Sequence, residues 1–187
     1  SGSDRTIAAS VSDADGNNVQ KFNPEGVFQR KIGTRGVGNS QFRSPSAAAV
    51  DGSGNLYVVD QANDRVQKFR PDGTFVLQFG GPGTEAGQFQ RPSGIVWYDH
   101  ELFVVDAFNN RIQVFKDDGK LVAILGDSDR IAEVSYPYDI AIDSHGDLFV
   151  AEYRACRVSK FSRTGRLLGR YGAAGTGQKP GEFSTPW

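Results

Sequence analysis

The stretch Asp60-Gln-Ala-Asn-Asp-Arg65-Val-Gln-Lys-Phe69 decides the fold, because it recurs. It returns as Asp106-Ala-Phe-Asn-Asn-Arg111-Ile-Gln-Val-Phe115 and as Glu152-Tyr-Arg-Ala-Cys-Arg157-Val-Ser-Lys-Phe161. A degenerate copy, Asp13-Ala-Asp-Gly-Asn-Asn18-Val-Gln-Lys-Phe22, precedes them. The same frame places glycines at Gly26, Gly73, Gly119 and Gly165, and again at Gly33, Gly80, Gly126 and Gly172. Further on, an apolar residue stands three before a proline: Phe42/Pro45, Phe89/Pro92, Val134/Pro137 and Phe183/Pro186. The prolines are spaced by 47, 45 and 49 residues, a fixed period that marks a repeat architecture.

Each unit reads as four short strands. In the second, Ala47–Val50 is a small apolar run suited to a crowded, buried position. Leu56–Val59 is rich in strand formers, and Val66–Arg70 and Phe75–Phe79 alternate apolar with polar residues. Asp51–Asn55 and Pro71-Asp72-Gly73 are turns. No segment carries a helical apolar stripe. The expected fold is all-β, a β-propeller of four-stranded antiparallel blades, with blades near 1–44, 45–91, 92–136 and 137–187 in a single region. The phenylalanines Phe22, Phe69, Phe115 and Phe161 are expected to fill the space between blades. The pairs Asp60/Arg65, Asp106/Arg111 and Glu152/Arg157 stand at the ends of consecutive strands, as bidentate structural clamps. A residue repeated in every blade is scaffold; in the first unit Asn18 replaces the arginine.

Composition bounds the function. The 187 residues carry 21 basic and 22 acidic side chains, a net charge of −1, so no global field draws the chain to nucleic acid or membrane. The apolar runs are too short to span a bilayer, and no signal peptide is visible in these residues. The single cysteine, Cys156, excludes an internal disulfide framework and suits a reducing, cytoplasmic compartment without requiring one.

These motifs resemble the NHL repeat family. The resemblance rests on Pro92-Ser-Gly-Ile95 and Pro137-Tyr-Asp-Ile-Ala-Ile-Asp143, on the L-[YF]-V-[VA]-[DE] strand, on N-x-R-[VI]-Q-x-F and on the D-G and F-G pairs. It implies a propeller, usually six-bladed, that serves as a binding platform in tripartite-motif and brat-type proteins or as a bacterial sensor domain. It extends more distantly to amidating lyases. Only four repeats are present, so the chain reads as a fragment of a larger propeller, a closed four-bladed ring, or one part of an assembly. Ser1–Asp4 stands opposite Ala48–Asp51 and cannot supply a buried inner strand, so either extra blades from a longer chain or self-association is expected to cover the open ends.

Two loop classes share one face: Thr34–Ser44, Gly81–Arg91, Asp127–Tyr136 and Ala173–Thr185, with Ala14–Asn17, Gln61–Asp64, Ala107–Asn110 and Tyr153–Cys156. This long-loop face offers Arg35, Arg43, Arg91, Phe108, Tyr153, Arg154 and Lys179 as binding candidates, with Glu85, Asp127, Asp129, Glu133 and Glu182 beside them. Its mixed charge favours a protein or peptide partner; basic groups interleaved with aromatics make single-stranded RNA the alternative. No cofactor motif or catalytic constellation stands out. His100 and His145 fall in short turns on the opposite face, and Asp139, at an inner-strand start, is a weak metal candidate. The expected function is therefore a non-catalytic binding platform, a scaffold for protein binding, with a metal-dependent propeller lyase or hydrolase as a further alternative.

Overall fold

The computed structural model describes residues 9–126, 134–175 and 177–186. Three four-stranded antiparallel sheets follow one another along the chain, preceded by a three-stranded one, and each is a meander with strands in sequence order. The second sheet consists of Pro45–Val50, Leu56–Asp60, Arg65–Phe69 and Phe75–Gly80, within two residues of the expected bounds. The third runs from Pro92–Tyr98 to Leu121–Leu125 and the fourth from Pro137–Ile142 to Leu167–Tyr171. The fold is a partial β-propeller.

In the first sheet, Ala9–Asp13 pairs with Asn18–Phe22, and Asp13 lies opposite Asn18 as Asp60 lies opposite Arg65. Ala9–Asp13 is thus the counterpart of the second strand of later blades. The expectation about Ser1–Asp4 lies outside the described residues. The first strands of successive later sheets lie side by side at their starts. Ser46 Oγ donates to the Ser93 carbonyl oxygen at 2.8 Å, and Ser93 Oγ donates to that of Tyr138 at 2.5 Å.

The apolar cores lie between sheets rather than within them, as period-two alternation on a sheet covered on both faces requires. Val19, Ile32, Leu56, Val58 and Phe69 join the first and second sheets. Tyr57, Val59, Val66, Leu102, Val104 and Phe115 join the second and third. Phe103, Val105, Ile112, Leu148, Val150 and Phe161 join the third and fourth. Phe69, Phe115 and Phe161 are buried as expected, whereas Phe22 is half-buried.

One expectation needs correction: in the second sheet the innermost strand is less buried than the strand that follows it. Ala47, Ala48 and Ala49 are half-buried and Val50 is 44% exposed, while Tyr57, Val58 and Val59 in the next strand are fully enclosed. The second strand has neighbours on both edges and both faces; the first has a free edge. Small residues there answer to crowding between neighbouring inner strands, not to burial.

Three of the long loops are built alike. Thr34–Arg35 pairs in parallel with Gln41–Phe42, Pro82 with Phe89, and Ala173–Ala174 with Glu182–Phe183. Each return brings a phenylalanine against a glycine. A Cβ on Gly33, Gly80 or Gly172 would stand 2.3, 2.5 or 2.2 Å from the ring of Phe42, Phe89 or Phe183. Those glycines also have φ of +94°, +96° and +91°, so both backbone angle and space demand the absence of a side chain.

Candidate functional site

The repeated acid–arginine pairs do more than close a loop. Arg65 Nε donates to Asp60 Oδ2 at 2.8 Å, a single contact rather than the bidentate one expected. Its remaining nitrogens reach to the carbonyls of Gly38 and Gln41 and to Gln78 Oε1. Gln67 Nε2 also donates to the Gln41 carbonyl, and Asn63 Nδ2 bridges Asp60 to the Gly36 carbonyl. The fully buried Asp60 accepts the Arg43 N–H at 2.7 Å as well. The arginine therefore ties its own blade to the long loop that precedes it.

The third sheet repeats the device. Arg111 Nε donates to Asp106 at 2.7 Å and reaches the carbonyls of Glu85 and Gln88, while Asn109 and Gln113 reach those of Gly83 and Gln88. In the fourth, Arg157 binds Glu152 through two nitrogens at 3.0 and 2.8 Å, and Ser159 Oγ donates to the same carboxylate. Sequence reading missed Asn63, Asn109, Gln67 and Gln113, although their repetition within the motif was the signal.

Left-handed residues anchor the mouth. Asn17, Asp64 and Asn110 have φ near +52°, and their side-chain oxygens accept the N–H of Ser44, Arg91 and Tyr136. Those three partners precede Pro45, Pro92 and Pro137 and themselves have φ of +49°, +51° and +50°. Bulky residues held there store strain that the surrounding bonds must sustain. Cys156 takes the same left-handed position in the fourth unit, with Sγ 3.1 Å from the Ser184 carbonyl oxygen.

On this face the candidates fall into two groups. Arg35 and Arg43 share the wall of a cleft of about 330 Å³ with Asp15, Asn17, Ser44 and Ala62. Phe108, Tyr153 and Arg154 are gathered by two residues that sequence reading did not single out, Tyr136 and Tyr138. The rings of Phe108 and Tyr136 are 5.3 Å apart, those of Tyr136 and Tyr153 6.0 Å, and those of Tyr153 and Tyr138 6.4 Å. The Arg154 guanidinium sits 4.9 Å over the Tyr136 ring. Phe108 is 47% exposed and Tyr153 39%, so the row faces solvent. The signal that marked Tyr136 was an aromatic where Ser44 and Arg91 stand in the other units.

Arg91, Lys179 and Asp139 neither line the cleft nor take part in the ring contacts. Arg91 is exposed and held by its backbone, and Lys179 is exposed with Nζ 3.9 Å from Glu182. Asp139 is exposed, and its Oδ1 accepts the N–H of Ile140. Among the described residues no group of three or more His, Cys, Asp or Glu side chains is placed to hold a metal ion. Asp127, Asp129 and Glu133 lie outside the described residues.

The opposite face is closed by charge pairing. Asp117 accepts from Trp97 Nε1 at 2.8 Å and contacts His100 at 3.3 Å, with Tyr57 Oη donating to it from the neighbouring blade. Burial raises its pKa, but Trp97, His100 and Lys68 outweigh that and hold its carboxyl below the ordinary range. Burial, with Asp117 and Asp51 beside it, pushes the Tyr57 hydroxyl well up. Arg163 reaches from the fourth unit to Asp99 and Glu101 of the third, both at 2.8 Å. Both histidines belong to this face, His145 lying 3.9 Å from Asp143.

No protein-family model and no curated protein sequence matches the chain. Solved structures do. A streptogramin B lyase is 18% identical with a TM-score of 0.66, over 90% of this chain and 52% of its own. A catalytically inactive histidine-to-alanine variant of virginiamycin B lyase from Staphylococcus aureus, with quinupristin, is 16% identical with a TM-score of 0.68, over 95% of this chain and 55% of its own. Kuenenia stuttgartiensis hydrazine synthase is 19% identical with a TM-score of 0.66, over 87% of this chain and 45% of its own. The chain spans about half the length of these proteins. Two expectations are corrected by this: that the chain is a non-catalytic platform, and that it is not an enzyme. Solved structures of similar fold include enzymes, so the architecture gives no ground for excluding catalysis. Nothing in the comparisons supports protein binding, a scaffold role or RNA binding. At these identities what the chain shares with the lyases is the β-propeller fold.

Proposed function

We propose that this chain is the substrate-holding part of a lyase-type propeller enzyme built from NHL-like repeats, and that its long-loop face grips a ring-bearing small molecule. The observation that carries the reading is the row of exposed Phe108 and Tyr153 with half-buried Tyr136 and Tyr138, and Arg154 laid over Tyr136. The three ring pairs are tilted by 43°, 55° and 38°, which leaves flat faces for a ligand ring. Small-molecule sites are lined by aromatics with a few fixed polar groups, and Arg154 supplies one. The likeness in fold to lyases, one of them solved with quinupristin, supports the reaction class.

An elimination needs a base within hydrogen-bond reach of the substrate. His100 and His145 lie on the opposite face and are not placed for it. The reading assigns the role to the carboxylate of Asp139, exposed and next in sequence to Tyr138. The test is to titrate the chain with quinupristin by tyrosine and tryptophan emission and to follow the compound by chromatography. The reading expects saturable binding, weakened about tenfold or more in Tyr136→Ala or Arg154→Ala. It also expects conversion that is lost in Asp139→Asn with binding retained. An unchanged emission spectrum with intact quinupristin contradicts it.

A further inference from the structure

We propose that the cleft between the first and second units is a binding site for a small molecule bearing a phosphate or carboxylate, recognised by Arg35 and Arg43. The inference is independent of the aromatic row and of any lyase chemistry.

Residues around this cleft depart from the repeat. Arg35 pairs with Phe42 in the short parallel ladder; its counterparts are Pro82 opposite Phe89 and Ala174 opposite Phe183. Arg43, two before its proline, corresponds to Gln90 and Ser184. Ala62 corresponds to Phe108 and Arg154, so the position filled by a large side chain at later junctions is empty space here. Three unrepeated residues thus converge on one cleft of about 330 Å³, room for roughly ten waters and within the usual span of ligand pockets. Scaffold does not require these arginines: both side chains are exposed, neither contributes to a core, and among the described residues neither has a carboxylate within ion-pair distance.

The backbone beneath them is fixed. The Arg43 N–H is held by buried Asp60 and its carbonyl by the Ala62 N–H at 3.0 Å. Gly36, next to Arg35, donates to the Phe42 carbonyl and accepts from Asn63. Two guanidinium forks on pinned backbone present up to ten N–H donors, the arrangement that matches the oxygens of phosphate or carboxylate. Asn17 is committed through Oδ1 to the Ser44 N–H. Asp15, also on the wall, is the opposing charge: its carboxylate repels an anion and limits affinity.

Inorganic phosphate and succinate serve as probes of the 187-residue chain, followed by backbone amide shifts in NMR titrations at constant ionic strength. Saturable binding with shifts at Arg35, Arg43 and Ser44 is expected for at least one probe, and the stronger of the two identifies the ligand's anionic group. Arg35→Gln and Arg43→Gln should each weaken it about tenfold or more, the loss of a charge-assisted contact, with melting unchanged because both side chains are exposed. Asp15→Asn should tighten it severalfold. Linear, non-saturating shifts spread over all surface arginines overturn the proposal. So does binding that survives in the Arg35→Gln/Arg43→Gln double variant.

Discussion

The first and second units share strand pattern and register yet are held by different means. In the second, Asp60 is fully buried among Arg65, Asn63, Gln67 and the Arg43 N–H, and Arg65 binds two carbonyls of the preceding loop. In the first, half-buried Asp13 meets Asn18 Nδ2 at 3.3 Å, and Asn18 Oδ1 is buried without a partner. Asn18 is shorter than the arginine it replaces, and among the described residues its side chain bonds only Asp13. Strand pairing therefore sets the blade, and the arginine sets how blades are tied together. Positions that repeat carry the ties; positions that depart from the repeat free the surface of the same loops for a ligand.

The largest effect that can break this contrast is Arg65→Ala. It strands the buried Asp60 and frees the Gly38–Gln41 segment, and should cost about 3–5 kcal/mol, read as a denaturation midpoint. Gly80→Ala comes next. Its φ is +96° and the new Cβ would stand 2.5 Å from the Phe89 ring, so a loss of about 1–3 kcal/mol is expected by the same measurement. Asn18→Ala in the first unit should cost under about 1 kcal/mol, because it removes one long hydrogen bond along with an unsatisfied oxygen. Equal losses for Arg65→Ala and Asn18→Ala would erase the distinction between the units.

The opposite face sharpens the contrast through pH. Asp117 and Glu101 are held below their ordinary values of 3.8 and 4.5: burial raises both, but Trp97 and His100 outweigh it at Asp117, and Lys116 and Arg163 at Glu101. A depressed folded pKa contributes stability that is fully present above the unfolded value and lost as pH falls through the folded one. Melting temperature should therefore be level from neutral pH to about 5 and then fall with acid. Asp117→Asn should lower the plateau and flatten the decline. A melting temperature that rises as pH drops from 5 to 3 would contradict the sign.

Much of this was legible in the sequence. The blade pattern, the inter-blade phenylalanines and the pairing of Asp60 with Arg65 followed from repetition, because a residue required at every junction recurs at a fixed period. The burial of the inner strand was misjudged, since Ala47–Val50 looks the same whether enclosed or crowded at a free edge. Tyr136 and Tyr138 were overlooked because aromatic contacts joining Phe108 to Tyr153 depend on how two loops of different units meet. Ala62 was unreadable for the opposite reason: a missing side chain signals a cleft only once its counterparts Phe108 and Arg154 are seen in place. The absence of catalysis, inferred from lacking motifs, was the weakest step, because a fold common to several enzymes makes such silence uninformative.

The smallest expected change in stability belongs to the most direct test. Ala62→Phe places in the second unit the residue the third already carries at Phe108, filling the cleft beside Arg35 and Arg43 without touching a tether. A phosphate titration of this variant, with its melt as control, tests whether repeated positions hold the fold while departures from the repeat bind ligand. The account predicts a melting temperature within about 2 °C of the parent, as for surface changes of up to half a kcal/mol, and loss of saturable phosphate binding. Undiminished phosphate binding, or a melt lowered as far as by Arg65→Ala, would contradict it.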